Sequence, residues 1–166
     1  MNAQTIELTE AGLVDIRIAH VSKVFDGLER NDQGIDYKRG LFLSPAFCQI
    51  KDAIKSVEEE KKFSLRFYDK PFGTAATDSD LKKALPEAYA FDESEAVAIV
   101  AELIYGQFEG GPGALRNLMQ PNLFYTPNQV LSATWSVGGC EWCVHAWGHD
   151  AQSWSERLLC RVFVLA

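Results

Sequence analysis

The sequence predicts an α+β fold: a single compact domain over residues 1–166, with a C-terminal three-stranded antiparallel meander packed by two main amphipathic helices at about 45–61 and 93–108. Three observations predict it. Residues 129–137 alternate, with Leu131, Ala133, Trp135 and Val137 on one face and Ser132, Thr134 and Ser136 on the other, the period of a half-buried strand. Gly138-Gly139 then interrupts the run, and a Gly-Gly pair between two alternating runs signals a hairpin with a type I′ turn. Finally, two long stretches carry apolar residues at helical spacing behind recognisable caps. Counting back from the turn sets Val137 opposite Cys140, Trp135 opposite Trp142 and Ala133 opposite Val144, so the apolar faces of the two strands coincide. The run 158–165 is expected to close the meander.

From the N-terminus, residues 13–18 alternate with Val14, Ile16 and Ile18 on one face, which reads as a strand whose pattern fades after Ala19. Residues 26–40 are polar and glycine-containing, long for a connection. Leu41-Phe42-Leu43 reads as a short strand feeding Ser44-Pro45, a cap followed by proline at the first helical position. Phe47, Ile50, Ile54 and Val57 form the apolar stripe of the helix that follows, with Cys48 at its edge. Phe63, Leu65 and Phe67 then alternate in a strand. Strand, helix and strand over 41–68 suggest a right-handed crossover between parallel neighbours. A short helix is expected around 79–85, ended by Pro86. Asp92-Glu93-Ser94-Glu95 resembles a capping box and opens the clearest helix, with Ala96, Ile99, Val100, Leu103 and Ile104 on its apolar side. Gly110-Gly111-Pro112-Gly113 ends it, and 114–119 has room for one or two further turns.

Charge narrows the function classes. The net charge is −7, all nine lysines precede Ala84, and residues 84–115 carry six acids and no base. Direct nucleic-acid binding is not expected, because phosphate affinity is carried by Lys and Arg. The acids of that stretch are expected to lie on a solvated helix face. The first residues lack the basic start and apolar run of a secretory signal, and no stretch approaches membrane-spanning length, so a cytoplasmic protein without membrane contact is expected. Four cysteines in that setting read as thiols.

Nucleotide-binding and hydrolase signatures are missing: there is no GxGxxG after a strand, no GxxxxGK[ST], no GxSxG and no HExxH. The densest chemistry lies in 140–149, where Cys140, Cys143, His145 and His149 offer soft and borderline ligands. On a strand, Cys140 and Cys143 point to opposite faces, whereas Cys143 and His145 share the face opposite Trp142 and Val144. A zinc site or a Cys/His-dependent enzyme using Cys143, His145 and His149 is therefore one alternative. The expectation from the sequence is that no metal and no cofactor is bound and that the cysteines are reduced.

The tryptophans divide into two pairs. Trp135 and Trp142 are expected in the core. Trp147 and Trp154 flank the polar connection 148–153, and with His149 and Asp150 they form the expected binding residues at a loop rim. The favoured reading is a small acidic, non-catalytic interaction module that docks on a protein partner or on itself through this aromatic sheet and its lysine-free half. A second alternative is a small-molecule binder with a pocket lined by tryptophans and Tyr105 or Tyr125.

Overall fold

The computed structural model describes residues 6–54 and 57–166. It is dominated by one nine-stranded mixed sheet. The elements run β1 (Thr9–Arg17), α1 (Val21–Phe25), β2 (Glu29–Arg30), β3 (Asp36–Lys38), β4 (Leu41–Leu43), α2 (Pro45–Ala53), β5 (Lys62–Asp69), β6 (Ala76–Thr77), α3 (Asp78–Ala84), α4 (Glu93–Gly106), β7 (Asn122–Tyr125), β8 (Val130–Ser136), β9 (Glu141–Trp147), β10 (Ser153–Trp154) and β11 (Arg161–Leu165). The strand order in the large sheet is β1-β5-β11-β7-β8-β9-β4-β3-β2, and β10 pairs with β6 in a separate two-stranded ribbon.

This corrects the expected fold class. The antiparallel meander is β7-β8-β9, and the C-terminal strand does not extend it beyond β9. Instead β11 inserts between β5 and β7, antiparallel to the first and parallel to the second. Val162, Phe163 and Val164 are all buried, so both faces of this strand are covered, as befits a central position. Nor do β4 and β5 make a parallel crossover pair. Four strands lie between them, and the chain of pairings gives them opposite directions.

The helices also differ from expectation. Ser44 caps α2, its Oγ accepting from Phe47 N, and Pro45 follows at the first helical position, but the helix stops at Ala53 rather than near 61. The chain there turns into the sheet: Glu60 N donates to Ile18 O and Ile18 N to Lys61 O, the first rungs of the β1–β5 pairing. Asp92 caps α4, accepting from Ser94 N and Glu95 N, while Glu95 pairs with Lys61 instead of reaching back. Nine consecutive residues of α4, 96–104, are buried, so it is not amphipathic but enclosed on every side. It lies over one face of the sheet and contacts α1, α2 and β1. One of its acids, Glu102, is buried with it, accepting from the amides of Ala19 and His20 ahead of α1. The acidic stretch is therefore not uniformly a solvated face. No further helical turn forms over 114–119; Gln107 holds that segment by bonds to Gly111 O, Leu115 O and Leu115 N.

The β8–β9 register does place Trp135 opposite Trp142 and Ala133 opposite Val144. The turn is of another kind: pairing ends at Ser136 and Glu141, and Cys140 rather than either central glycine takes positive φ (50°). Trp135 and Trp142 pack edge to face, 5.5 Å between centroids, in the core beneath α4.

The opposite face is covered over only part of its width. There α3 and the β6–β10 ribbon sit on Leu123, Tyr125, Val130 and Val162, making a second, smaller core with Leu81, Leu85 and Trp154. On β9 the ribbon reaches Trp147 through Trp154. Among the described residues, no helix is long and apolar enough to cross a membrane.

Candidate binding groove on the open sheet face

Alternation along β8 and β9 decides what the uncovered face presents. Trp142, Val144 and Ala146 turn into the main core, which leaves Cys143, His145 and Trp147 on the other side, all half-buried. On β8 the same side carries Ser132 and Thr134, and Ser132 stands directly opposite His145, Thr134 opposite Cys143. Phe42 of β4 is in register with Cys143, its ring 5.8 Å from that of His145.

Where the ribbon ends against this face there is a groove of about 460 Å³. Ser132, Thr134, His145 and Trp147 form its floor, and Gln152 and Trp154 its wall on the ribbon side. Met119, Pro121 and Leu158 also line it. None of the lining residues is Asp, Glu, Lys or Arg. Burial lowers the pKa of His145, which keeps the imidazole uncharged at neutral pH. The indole Nε1 of Trp147 is buried and makes no hydrogen bond among the described residues.

The ribbon is pinned to the sheet by one carboxylate. Asp78, at the first position of α3, is fully buried. Its Oδ1 accepts from Tyr125 Oη at 2.8 Å and from Trp154 Nε1 at 3.3 Å, and its Oδ2 accepts from Asp150 N at 3.0 Å. Asp150 returns the contact, its Oδ1 accepting from Ser79 N at 2.9 Å. His149 completes the lock. Its Nε2 lies 2.8 Å from Thr126 O and must donate to it, so Nδ1 is the acceptor for Lys82 Nζ at 2.7 Å.

The four expected binding residues therefore separate by role. Trp147 lies in the groove with part of its surface exposed. Trp154 also lines it but is buried, tilted 49° against Trp147 at 5.7 Å. His149 and Asp150 fix the loop between them. Tyr125 lies beneath the ribbon on Asp78, and Tyr105 stacks on His20 on the far face at 3.9 Å. Ser132, Thr134 and Gln152 were missed as groove residues, although the alternation of β8 had already set the first two on the face shared by Cys143 and His145.

The metal alternative gains no support. Among the described residues, no group of three or more His, Cys, Asp or Glu side chains is placed to hold an ion. Both ring nitrogens of His149 are engaged elsewhere. As a nucleophile Cys143 is poorly placed, because burial and Glu141 push its thiol pKa up.

A larger cavity of about 690 Å³ opens among α1, α2 and α4, lined mainly by Ile18, Val21, Phe25, Ile54, Val57 and Ala98. No known protein family matches the chain, and neither a curated protein nor a solved structure does.

Proposed function

We propose that the protein is a non-catalytic binding module, acting inside the cell, that receives its partner in the groove between the open face of β8–β9 and the β6–β10 ribbon. One observation carries the reading: Trp147, a large aromatic with a buried, unpartnered Nε1, stands in an uncharged concavity framed by hydroxyl and amide groups. Aromatic anchors in a partly desolvated recess are where binding energy concentrates. The volume lies within the roughly 300–1,000 Å³ of small-molecule sites, and it equally suits an inserted side chain of a protein partner or of a second copy. A catalytic reading lacks an activated nucleophile, since burial and Glu141 raise the thiol pKa of Cys143, and Asp78, Lys82, His149 and Asp150 are engaged in holding the ribbon.

Titration of the ¹⁵N-labelled protein with a mixed library of small fragments tests this. Binding fragments are expected to shift the indole Nε1–H resonance of Trp147 and the amides of Ser132, Thr134 and His145. A library in which every hit maps to other surfaces would remove the groove from consideration.

A further inference from the structure

We propose that the groove takes an uncharged, planar heteroaromatic ring system, its face against Trp147 and its edge toward the hydroxyls of Ser132 and Thr134. The inference rests on the binding-module reading and specifies the ligand.

The chemistry of the lining excludes the other common classes. An anionic ligand would find no Lys or Arg in the groove, on a chain whose net charge is −7 and whose last 83 residues carry three bases against nine acids. Desolvating a phosphate or carboxylate there would go uncompensated. An ammonium group would meet no carboxylate. A purely aliphatic ligand would cover two hydroxyls and the Gln152 amide without bonding them, which carries the penalty of any buried polar group left unpaired. A flat ring with donors and acceptors on its rim meets none of these objections. Its face gains area against the indole, and its edge atoms bond the Ser, Thr and Gln groups, each of which both donates and accepts. His145, opposite Ser132, lends a neutral imidazole as a further partner.

The unpaired indole of Trp147 supports the same class. A buried N–H without an acceptor is costly, and few native groups are left so. That donor points along the indole plane, so a ring stacked on the indole face meets it only through a carbonyl or amide substituent that reaches over the indole edge.

The test uses four probes on the full chain, followed by tryptophan fluorescence and by the Trp147 indole resonance. Adenosine and isoquinolin-1-one carry the proposed chemistry; adenosine 5′-monophosphate adds a phosphate to the first, and hexanoate offers a chain with a charge. The two neutral rings are expected to saturate the Trp147 signal, with the monophosphate and hexanoate weaker by roughly tenfold or more. Thr134→Val removes one hydroxyl from a half-exposed position with little change of shape, and should weaken the rings about fivefold or more while leaving the melting temperature unchanged. If the monophosphate or hexanoate shifts the Trp147 signal as strongly as the rings, the groove remains a binding site but the assigned ligand class is wrong. If the neutral rings bind and Thr134→Val leaves their affinity unaltered, the edge-on placement is wrong. If no probe perturbs Trp147, the assigned ligand class is wrong, and the binding-module reading stands or falls separately on the fragment titration.

Discussion

Tyr125 donates its hydroxyl to the buried carboxylate of Asp78 over 2.8 Å, and that bond ties the central strand β7 to the first turn of α3. Burial, with the Asp78 charge beside it, pushes the Tyr125 pKa far up, so the phenol is a permanent donor. Asp78→Ala strips the acceptor from Tyr125, Trp154 and the Asp150 amide at once. We expect a loss of about 3 kcal/mol or more in urea unfolding, since each buried donor left unpaired costs about 1–3 kcal/mol. Asp78→Asn retains one carbonyl and should fall between the variant and wild type. An alanine variant as stable as wild type would show that the ribbon is not held through this residue.

The four tryptophans are expected to rank by burial. Trp135, Trp142 and Trp154 are buried, and Trp154 also bonds Asp78, so each alanine variant should lose about 3–5 kcal/mol. Trp147→Ala should lose less than half of that, because part of its ring faces solvent. Melting curves of the four single variants decide it; Trp147→Ala as damaging as Trp142→Ala would make Trp147 core.

The hairpin was legible because half-buried strands print their facing in alternate residues, and the Trp135–Trp142 pairing follows once one face is known. The facing of the floor residues was legible for the same reason, since Ser132, Thr134 and His145 fall on the side left by the apolar residues, but that this side forms a groove was not. The position of β11 was not legible. Val162-Phe163-Val164 is apolar on both faces, a run that states burial without naming a neighbour, and its partners β5 and β7 lie far off in sequence. The enclosure of α4 was hidden by its acids: Glu102 looks like a solvent-facing residue until the amides of Ala19 and His20 are brought to it by the fold. The ribbon that frames the groove depends on Asp78, which local sequence marks only as an acid in a first helical turn.

Gly110 marks the tightest contact between the chain end of α4 and the sheet. It has φ of 73°, and a Cβ built there would lie 2.2 Å from the Trp135 ring. Gly110→Ala combines a left-handed conformation with overpacking and should cost about 2–4 kcal/mol. Denaturant unfolding gives the number. A loss below about half a kcal/mol would mean that Trp135 moves aside freely.

The thiols are expected to differ in reactivity by position. Cys140 is exposed at the hairpin tip, whereas Cys48 and Cys160 are buried, and burial pushes the Cys160 thiol up to about 12. Cys143 is half-buried, with its pKa raised by burial and by Glu141. Native protein should therefore release one equivalent of thionitrobenzoate quickly from Ellman's reagent, lost in Cys140→Ser, and four after unfolding. Rapid labelling of Cys143 in the native state would contradict its placement on a half-buried face and reopen the nucleophile reading.

The final prediction concerns pH and follows from His145. Burial lowers its pKa from the ordinary 6.5, so as pH falls through that value the unfolded chain takes up a proton that the folded protein refuses. In this window the unfolded state binds more protons, and stability falls with falling pH. The contribution is complete above the unfolded pKa and is lost between it and the lower folded value. Asp36, which Arg30 holds down to about 2, releases its share only below 3.8 and does not overlap this window. The unfolding free energy of wild type should therefore drop between about pH 7.5 and about pH 5.5, and that of His145→Gln should drop less, since the amide cannot titrate. Urea titrations of the two proteins at the two pH values give the difference directly. Equal losses would mean that the His145 ring is as well hydrated as in the unfolded chain, and the floor of the groove would then carry charge at mildly acidic pH.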